Sequence, residues 1–278
     1  MSKTWFITGA GRGFGREFAS AALGRGDRVA ATARNTEALK DLVDTYGDAI
    51  VPLPLEVTDR AAVSAAVATA HERLGRLDVV VNNAGYGLFG TVEEITEQQL
   101  RDQLEVNLFG VFHVTQAVLP ILREQGSGHI VQISTVGGIA AFPTLGGYHA
   151  SKWALEGLSE SLAQEVTQFG VSVTLIEPGG FSTDWAGSSA VHAEPQPQYA
   201  ALRGAFIEQQ KNLPAEFTGD PTAVGPALLK VVDAEQPPLR VLFGLMPTQV
   251  VPGLYQGRLD TWKAWEPVSL EANGHASS

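Results

Sequence analysis

The stretch Trp5-Phe6-Ile7-Thr8-Gly9-Ala10-Gly11-Arg12-Gly13-Phe14-Gly15 decides the fold. A short apolar run of strand character stops in a glycine-rich turn, and a helical pattern from Phe14 to Leu23 begins at once. Glycines at 9, 13 and 15 let the chain turn tightly and let a ligand approach the backbone, while the start of the helix offers free N–H groups to a pyrophosphate. The spacing is not G-x-G-x-x-G, because Phe14 and Arg16 stand where the last glycine of that pattern would fall. A glycine-rich strand-to-helix turn that holds no nucleotide is the plainer alternative.

Outward from this turn, apolar runs alternate with amphipathic stretches. Strands are expected at Trp5–Thr8, Val29–Ala33, Ile50–Leu55, Val79–Val81, Ile130–Ile133, Val171–Ile176 and Leu239–Phe243, with helices such as Phe14–Leu23, Ala61–Leu74, Gln98–Leu122 and Tyr148–Phe169 between them. Strand and helix in alternation mean a parallel sheet covered on both faces, with right-handed crossovers. The expected architecture is therefore an α/β, Rossmann-like, doubly wound sheet of about seven strands in one domain over residues 1–245. Residues 181–214 carry no clean strand and are rich in Ser, Ala, Pro and Gln, as a mobile lid would be. Residues 246–278 form an extension with a short helix expected near Leu254–Ala264. It should pack on the same domain and lose order at its last residues.

The formal charge of -11 opposes binding to nucleic acid or to an anionic membrane surface. The chain has no cysteine, which removes disulfides and thiolate chemistry. Met1–Thr8 has no secretory apolar region, and no segment reaches about 18 consecutive apolar residues, so a cytoplasmic location is expected. The histidines at 71, 113, 129, 149, 192 and 275 show no metal-ligand spacing, and His149 is expected to point away from the reacting face. No G-x-S-x-G elbow and no G-x-x-x-x-G-K-[ST] loop occurs, against hydrolase and ATPase chemistry.

Tyr148 and Lys152, four residues apart in Tyr148-His149-Ala150-Ser151-Lys152, should project from one face of a helix. An ammonium beside a phenol favours the phenolate, moving it toward the pH at which it can exchange a proton. Alone, that spacing describes many surface helices on which a Tyr packs over a Lys stem. Joined to Thr8-Gly9-x-x-x-Gly13-x-Gly15 and to Asn82-Asn83-Ala84-Gly85 after the fourth strand, it resembles the single-domain branch of the short-chain dehydrogenase/reductase family over roughly residues 3–245.

The resemblance implies a nicotinamide dinucleotide along Gly9, Arg12, Gly13, Phe14 and Gly15, then past Glu56 and Val57 to Asn83, Ala84 and Gly85. It would continue to Tyr148 and Lys152 and to Pro178, Gly179, Phe181 and Thr183. Glu56 stands where the family commonly has Asp. The position that carries an acid in NAD-using members is Ala33, followed by Arg34, and Arg12 lies in the glycine loop. Two guanidiniums and no carboxylate suit a 2'-phosphate, so NADP(H) is expected as cofactor.

By the same resemblance Tyr148 is the general acid in reduction and the base in oxidation. Lys152 holds the nicotinamide ribose and lowers the Tyr148 pKa, and Asn107 binds a water that links Lys152 to solvent. The family's hydroxyl, usually Ser, falls on Thr135, with Ser134 as the alternative. The implied activity is reversible NADPH-dependent reduction of a ketone or aldehyde. Tyr86, Leu88, Phe89, Phe142, Pro143 and Trp185 are candidate walls of a pocket for a bulky apolar substrate. A dinucleotide-binding sensor without turnover, or a dehydratase or epimerase on the same fold, are the alternatives. Apolar stripes on Gln98–Leu122 and Tyr148–Phe169 lead us to expect a homodimer or homotetramer.

Overall fold

A computed structural model describes residues 2–187 and 189–274. Seven parallel strands form one sheet in the order β3-β2-β1-β4-β6-β7-β9. They are β1 (Thr4–Ile7), β2 (Arg28–Ala33), β3 (Ile50–Pro54), β4 (Val79–Asn82), β6 (Gly128–Ile133), β7 (Val171–Pro178) and β9 (Arg240–Phe243). These are the seven expected strands, each within a few residues of its expected bounds. The chain winds from β1 outward to β3, then returns across β1 to β4 and winds the other way. The carboxyl ends of β1 and β4 therefore flank the point where strand order reverses, which is where open α/β sheets bind ligands.

Alternation along β1 builds both faces. Trp5 and Ile7 point to the face covered by α1 (Gly13–Gly24), α2 (Lys40–Tyr46) and α8 (Val224–Val232), where Phe18, Leu42 and Leu228 meet them. Phe6 points to the other face, against Val67 of α3 (Arg60–Leu74), Val118 of α5 (Val111–Gln125) and Leu162 of α6 (Gly146–Val166). Each such side chain contributes on the order of 1.5–3 kcal/mol by leaving water. The indole of Trp5 keeps its N–H satisfied by donating 2.8 Å to Asp27 Oδ2.

The structure departs from the sequence reading in four places. The expected helix Gln98–Leu122 is α4 (Glu97–Leu104), a π-helical turn over Glu105–Gly110, and then α5. Taken together Glu97–Gln125 is long and apolar enough, by length and composition, to cross a membrane, although no such span was expected. Here it packs on α3 and, through the π turn, on α6. Two short strands, β5 (Leu88–Phe89) and β8 (Val191–His192), pair in parallel apart from the main sheet. The segment 181–214 thus holds a strand, and also a helix, α7 (Ala200–Lys211). In the extension, α9 spans Leu245–Ala264 and α10 Glu266–Ala272. Pro247 in the first turn of α9 costs nothing, since first-turn N–H groups have no helical partner. Pro252 lies inside α9 and misled the sequence reading. Pro247 is the one buried residue of α9, and Arg258 lies 5.1 Å from the Trp153 ring of α6. Loss of order was expected over about the last dozen residues; of these, 267–272 lie in α10, and 275–278 lie outside the described residues.

Candidate active site

The glycine loop is fastened to β4 through Thr8. Its hydroxyl accepts from the backbone N–H of Asn83 (2.9 Å) and Ala84 (3.0 Å), and Asn83 Nδ2 donates back to the carbonyls of Thr8 (3.0 Å) and Gly9 (3.1 Å). Gly9 and Gly13 take positive φ, +65° and +55°, which a side chain resists. A Cβ on Gly15 would land on Asn83 Nδ2 and the Gly9 carbonyl. Thr8 was not among the expected site residues. A hydroxyl at the end of a strand that feeds a glycine turn is the signal that would have found it.

Around this loop the expected cofactor contacts sort themselves by exposure. Gly11 packs closely on the small side chains of Ala33 and Ala38 at the end of β2, where a Cβ would come within 3.1 Å of Ala38. Arg34 is exposed there, with no ion pair among the described residues. Arg12 is exposed too, and lies 3.7 Å from Asp184 of the 181–214 segment. Glu56 turns its carboxylate to the Thr58 N–H at 3.3 Å. Val57 is buried, with its side chain packed beneath Gly110. Phe14 and Phe181 meet edge to face at 4.9 Å, which joins the glycine helix to the loop after β7. In that loop Gly179 N–H donates to Phe243 O (2.9 Å), and Thr183 caps a short turn by accepting from Trp185 N–H (3.4 Å). Backbone N–H groups at a helix start, a cradle that any Cβ would fill, and two exposed guanidiniums together fit a dinucleotide.

The reacting groups lie at the carboxyl ends of β6 and β7. Tyr148 and Lys152 face the same way from the start of α6, both buried, at 7% and 6% exposure. Lys152 Nζ donates 2.7 Å to Ile133 O and stands 6.0 Å from the centre of the Tyr148 ring. Thr135, just past β6, places its hydroxyl beside the phenol, accepts from Gly137 N–H (3.2 Å) and reaches Pro178 O at 3.3 Å. Ser134 is buried on the other side, against Gly138. Asn107 sits on the π turn with both amide hydrogens committed, to Tyr86 O (3.0 Å) and Ser151 Oγ (3.1 Å), while Oδ1 accepts from Tyr86 N–H (3.1 Å). Ser151 in turn donates to Tyr148 O at 2.7 Å. Asn107 is thus a strut between the turn after β4 and the helix that carries Tyr148.

Electrostatics correct one expectation. Burial pushes the Tyr148 phenol up from its ordinary value, and only the Thr135 hydroxyl acts the other way. Burial also brings the Lys152 ammonium down to about 8, opposed by Glu156. The phenol is therefore held protonated, because desolvation of a phenolate outweighs a cation whose Nζ is turned toward Ile133 O. His149 is a structural residue: burial pushes it down to about 4, and its Nδ1 accepts from Phe142 N–H at 3.3 Å.

Over the phenol lies a row of aromatic rings. Trp185 is 4.9 Å from Tyr148 and 5.3 Å from Phe89, which stacks on His192 at 4.9 Å. Leu88, expected as a pocket wall, is instead fully buried and packs toward Gly147. A separate cleft of about 590 Å³ lined by Ser2, Lys3, Arg25, Asp27 and Asp233 opens at the amino ends of β1 and β2, the wrong end of the sheet for a dinucleotide.

Comparison with known proteins agrees with this geometry. The sequence model of the short chain dehydrogenase family matches residues 3–193. Oxidoreductase BOA17 of Botryotinia fuckeliana is 47% identical over 88% of this chain and 89% of its own length. An NADPH-dependent 3-dehydrocapnine reductase of Ornithobacterium rhinotracheale is 33% identical over 76% of this chain and 79% of its own. Among solved structures, a short-chain dehydrogenase from Streptomyces avermitilis superposes with a TM-score of 0.89 at 41% identity, covering 97% of both chains. An alcohol dehydrogenase from Thermococcus sibiricus complexed with 5-hydroxy-NADP gives 0.73 at 26% identity, over 88% of this chain and 97% of that one. A Burkholderia phymatum family member in complex with NAD gives 0.74 at 27%, over 87% and 88%. The chain belongs to the short-chain dehydrogenase family and is an oxidoreductase of that family.

Proposed function

We propose that the protein reduces a ketone or aldehyde of bulky apolar character to the alcohol, reversibly, with NADPH as reductant. The observation that carries this reading is the convergence of a buried phenol, a hydroxyl and an ammonium from Tyr148, Thr135 and Lys152 at the rim of the glycine cradle. A bound nicotinamide dinucleotide supplies the hydride. Thr135 and Tyr148 hold the substrate oxygen, and Tyr148 gives it a proton as negative charge develops there. A phenol kept protonated by burial suits that donation, and Lys152, cationic below about pH 8, stabilises the phenolate left behind. Asn107 and Ser151 fix the helix start from which Tyr148 acts.

NADPH over NADH is supported by Ala33 and Arg34 at the end of β2, by Arg12 nearby, and by the NADPH dependence of the Ornithobacterium relative. The apolar substrate is supported by the aromatic row Tyr148, Trp185 and Phe89. The test is a panel of ketones and aldehydes with each reduced cofactor, followed by absorbance, on the native chain and on Arg34→Asp. We expect turnover that prefers NADPH in the native chain, and a preference weakened by at least about tenfold in the variant, one charge-assisted pair being worth on the order of 1–3 kcal/mol. Cofactor binding with no turnover on any carbonyl would favour a sensor, and product without net NADPH consumption a dehydratase or epimerase. Exposed Phe109 and Trp153 on the outer helices, 44% and 43% accessible, support association of copies of the chain.

A further inference from the structure

Behind Lys152 the protein buries polar groups that the reaction as described does not use. Glu156 follows Lys152 by one helical turn and is 5% exposed, and Glu177 on β7 is 1% exposed. Arg240, at the start of β9, joins them: its Nε lies 3.0 Å from Glu156 Oε2 and 3.4 Å from Glu177 Oε1, and its Nη2 donates 2.7 Å to the half-exposed Glu160. Four buried atoms here lack a hydrogen-bond partner: Glu156 Oε1, Glu177 Oε1, Ser134 Oγ and Ser159 Oγ. Ser134 Oγ and Glu156 Oε1 both crowd the open side of Gly138, where a Cβ would come within 2.5 and 3.0 Å of them.

We propose that Glu156 is a positioning residue that keeps Lys152 cationic, and that Glu156 and Glu177, bridged by Arg240, share one proton. The charges facing this space are Lys152, Glu156 and Glu160 from α6, Glu177 from β7 and Arg240 from β9. Fully ionised, Glu156 and Glu177 would be two buried carboxylates leaning on one guanidinium that also serves Glu160, while the Lys152 ammonium is turned to Ile133 O, so negative charge would outweigh the cation within reach. Two neighbouring buried carboxylates do not both ionise readily, and one proton between them removes that excess. The direction of titration agrees: burial, then Glu156, push Glu177 up to about 7, and Glu156 is raised as well by burial against the pull of Ser134, Arg240 and Lys152. The negative charge left on the pair faces Lys152 and opposes the loss of its proton. Ser134, buried against Gly138, sets its hydroxyl beside the Glu156 carboxyl.

The positioning role rests on the reductase reading, whereas the shared proton does not. The first arm therefore uses the protein without substrate: infrared spectroscopy at about pH 6 should show the carbonyl stretch of a buried neutral carboxylic acid. The band should vanish in Glu177→Gln and in Glu156→Gln, because the carboxyl that remains ionises once its like-charged neighbour is gone. A native protein with no such band, or a band that persists in both variants, overturns the shared proton. In the second arm, Glu156→Gln should move the alkaline limb of carbonyl reduction about one pH unit lower, with turnover at neutral pH kept within about threefold, and Glu156→Asp should restore the limb. A uniform loss at every pH with the limb unmoved would mean a packing role only. Should no carbonyl be reduced by the native chain, the reductase reading falls, and the infrared arm still decides the proton.

Discussion

The glycine cradle and the segment over the phenol close on the same site by opposite means. The cradle is glycine backbone tied to β4 by two short side chains, Thr8 and Asn83. Thr8, Gly9, Asn83 and Ala84 exchange hydrogen bonds at 2.9–3.1 Å, and Gly9 and Gly15 leave no slack for a side chain. The segment 181–214 is held by the two-residue pairing of β8 with β5 and, around α7, by long side chains. Arg203 of α7 pairs with Glu94, Tyr199 donates 2.5 Å to Glu93, and Arg12 meets Asp184 at 3.7 Å, while α7 buries none of its own residues. A cofactor common to many substrates is thus gripped by parts that cannot yield. The cover over the substrate hangs on contacts that single substitutions can loosen. That contrast predicts large effects in the cradle and graded ones in the cover.

The largest effect on cofactor binding should come from Gly15→Ala, whose methyl collides with the Gly9 carbonyl and Asn83. Overpacking of this kind costs on the order of 1–3 kcal/mol, and here it also displaces the N–H groups that would hold pyrophosphate. Dinucleotide affinity measured by titration calorimetry should fall at least about 30-fold, and an unchanged affinity would break the comparison. Next, Thr135→Ala with Ser134 intact should lower turnover about 100-fold, as for loss of an oxyanion donor, with cofactor affinity preserved. A normal rate would hand the role to Ser134, against its buried position beside Gly138. Third, carbonyl reduction should fall as pH rises through about 8, because the Lys152 cation is lost there, and stay level below that value. A limb displaced to 10 or above, the range of an unperturbed lysine, would contradict the burial argument. Smallest, Arg203→Ala should raise the KM for the carbonyl substrate a few-fold while kcat and cofactor affinity hold. The Glu94 carboxyl that Arg203 meets is held down at about 2, first by the Thr91 and Gln196 backbone N–H groups, so it remains ionised and keeps its other partners. A collapse of cofactor binding in this variant would show that cover and cradle are not separable.

The same contrast explains what could be read from the sequence. The seven strands and the cradle were legible because glycine positions, alternating apolar runs and the Asn82–Gly85 turn act locally in the chain. Tyr148, Lys152 and Thr135 were legible as a set, and the structure brings them together. Asn107 was found by resemblance, but its setting was not: nothing in Glu105–Gly110 marks a π turn, which tertiary contacts to Tyr86 and Ser151 hold in place. Helix α7 escaped because it buries no face and so shows no apolar stripe. Strands β5 and β8 are too short for a periodic signal. The direction of the Tyr148 shift was misjudged because spacing along a helix reports neighbours, and burial beneath Trp185 is a property of the fold. Glu156, Glu177 and Arg240 come from three elements far apart in sequence, and their meeting is visible only in three dimensions.

The central claim is that the Tyr148 hydroxyl delivers the proton that completes carbonyl reduction. Tyr148→Phe removes that hydroxyl and keeps the ring under Trp185, so the fold and the dinucleotide site should survive. With a carbonyl substrate of the native chain, and cofactor binding checked by calorimetry on the same sample, NADPH oxidation should drop at least about 1000-fold while the cofactor still binds. Oxidation at the native rate in that variant would contradict the account.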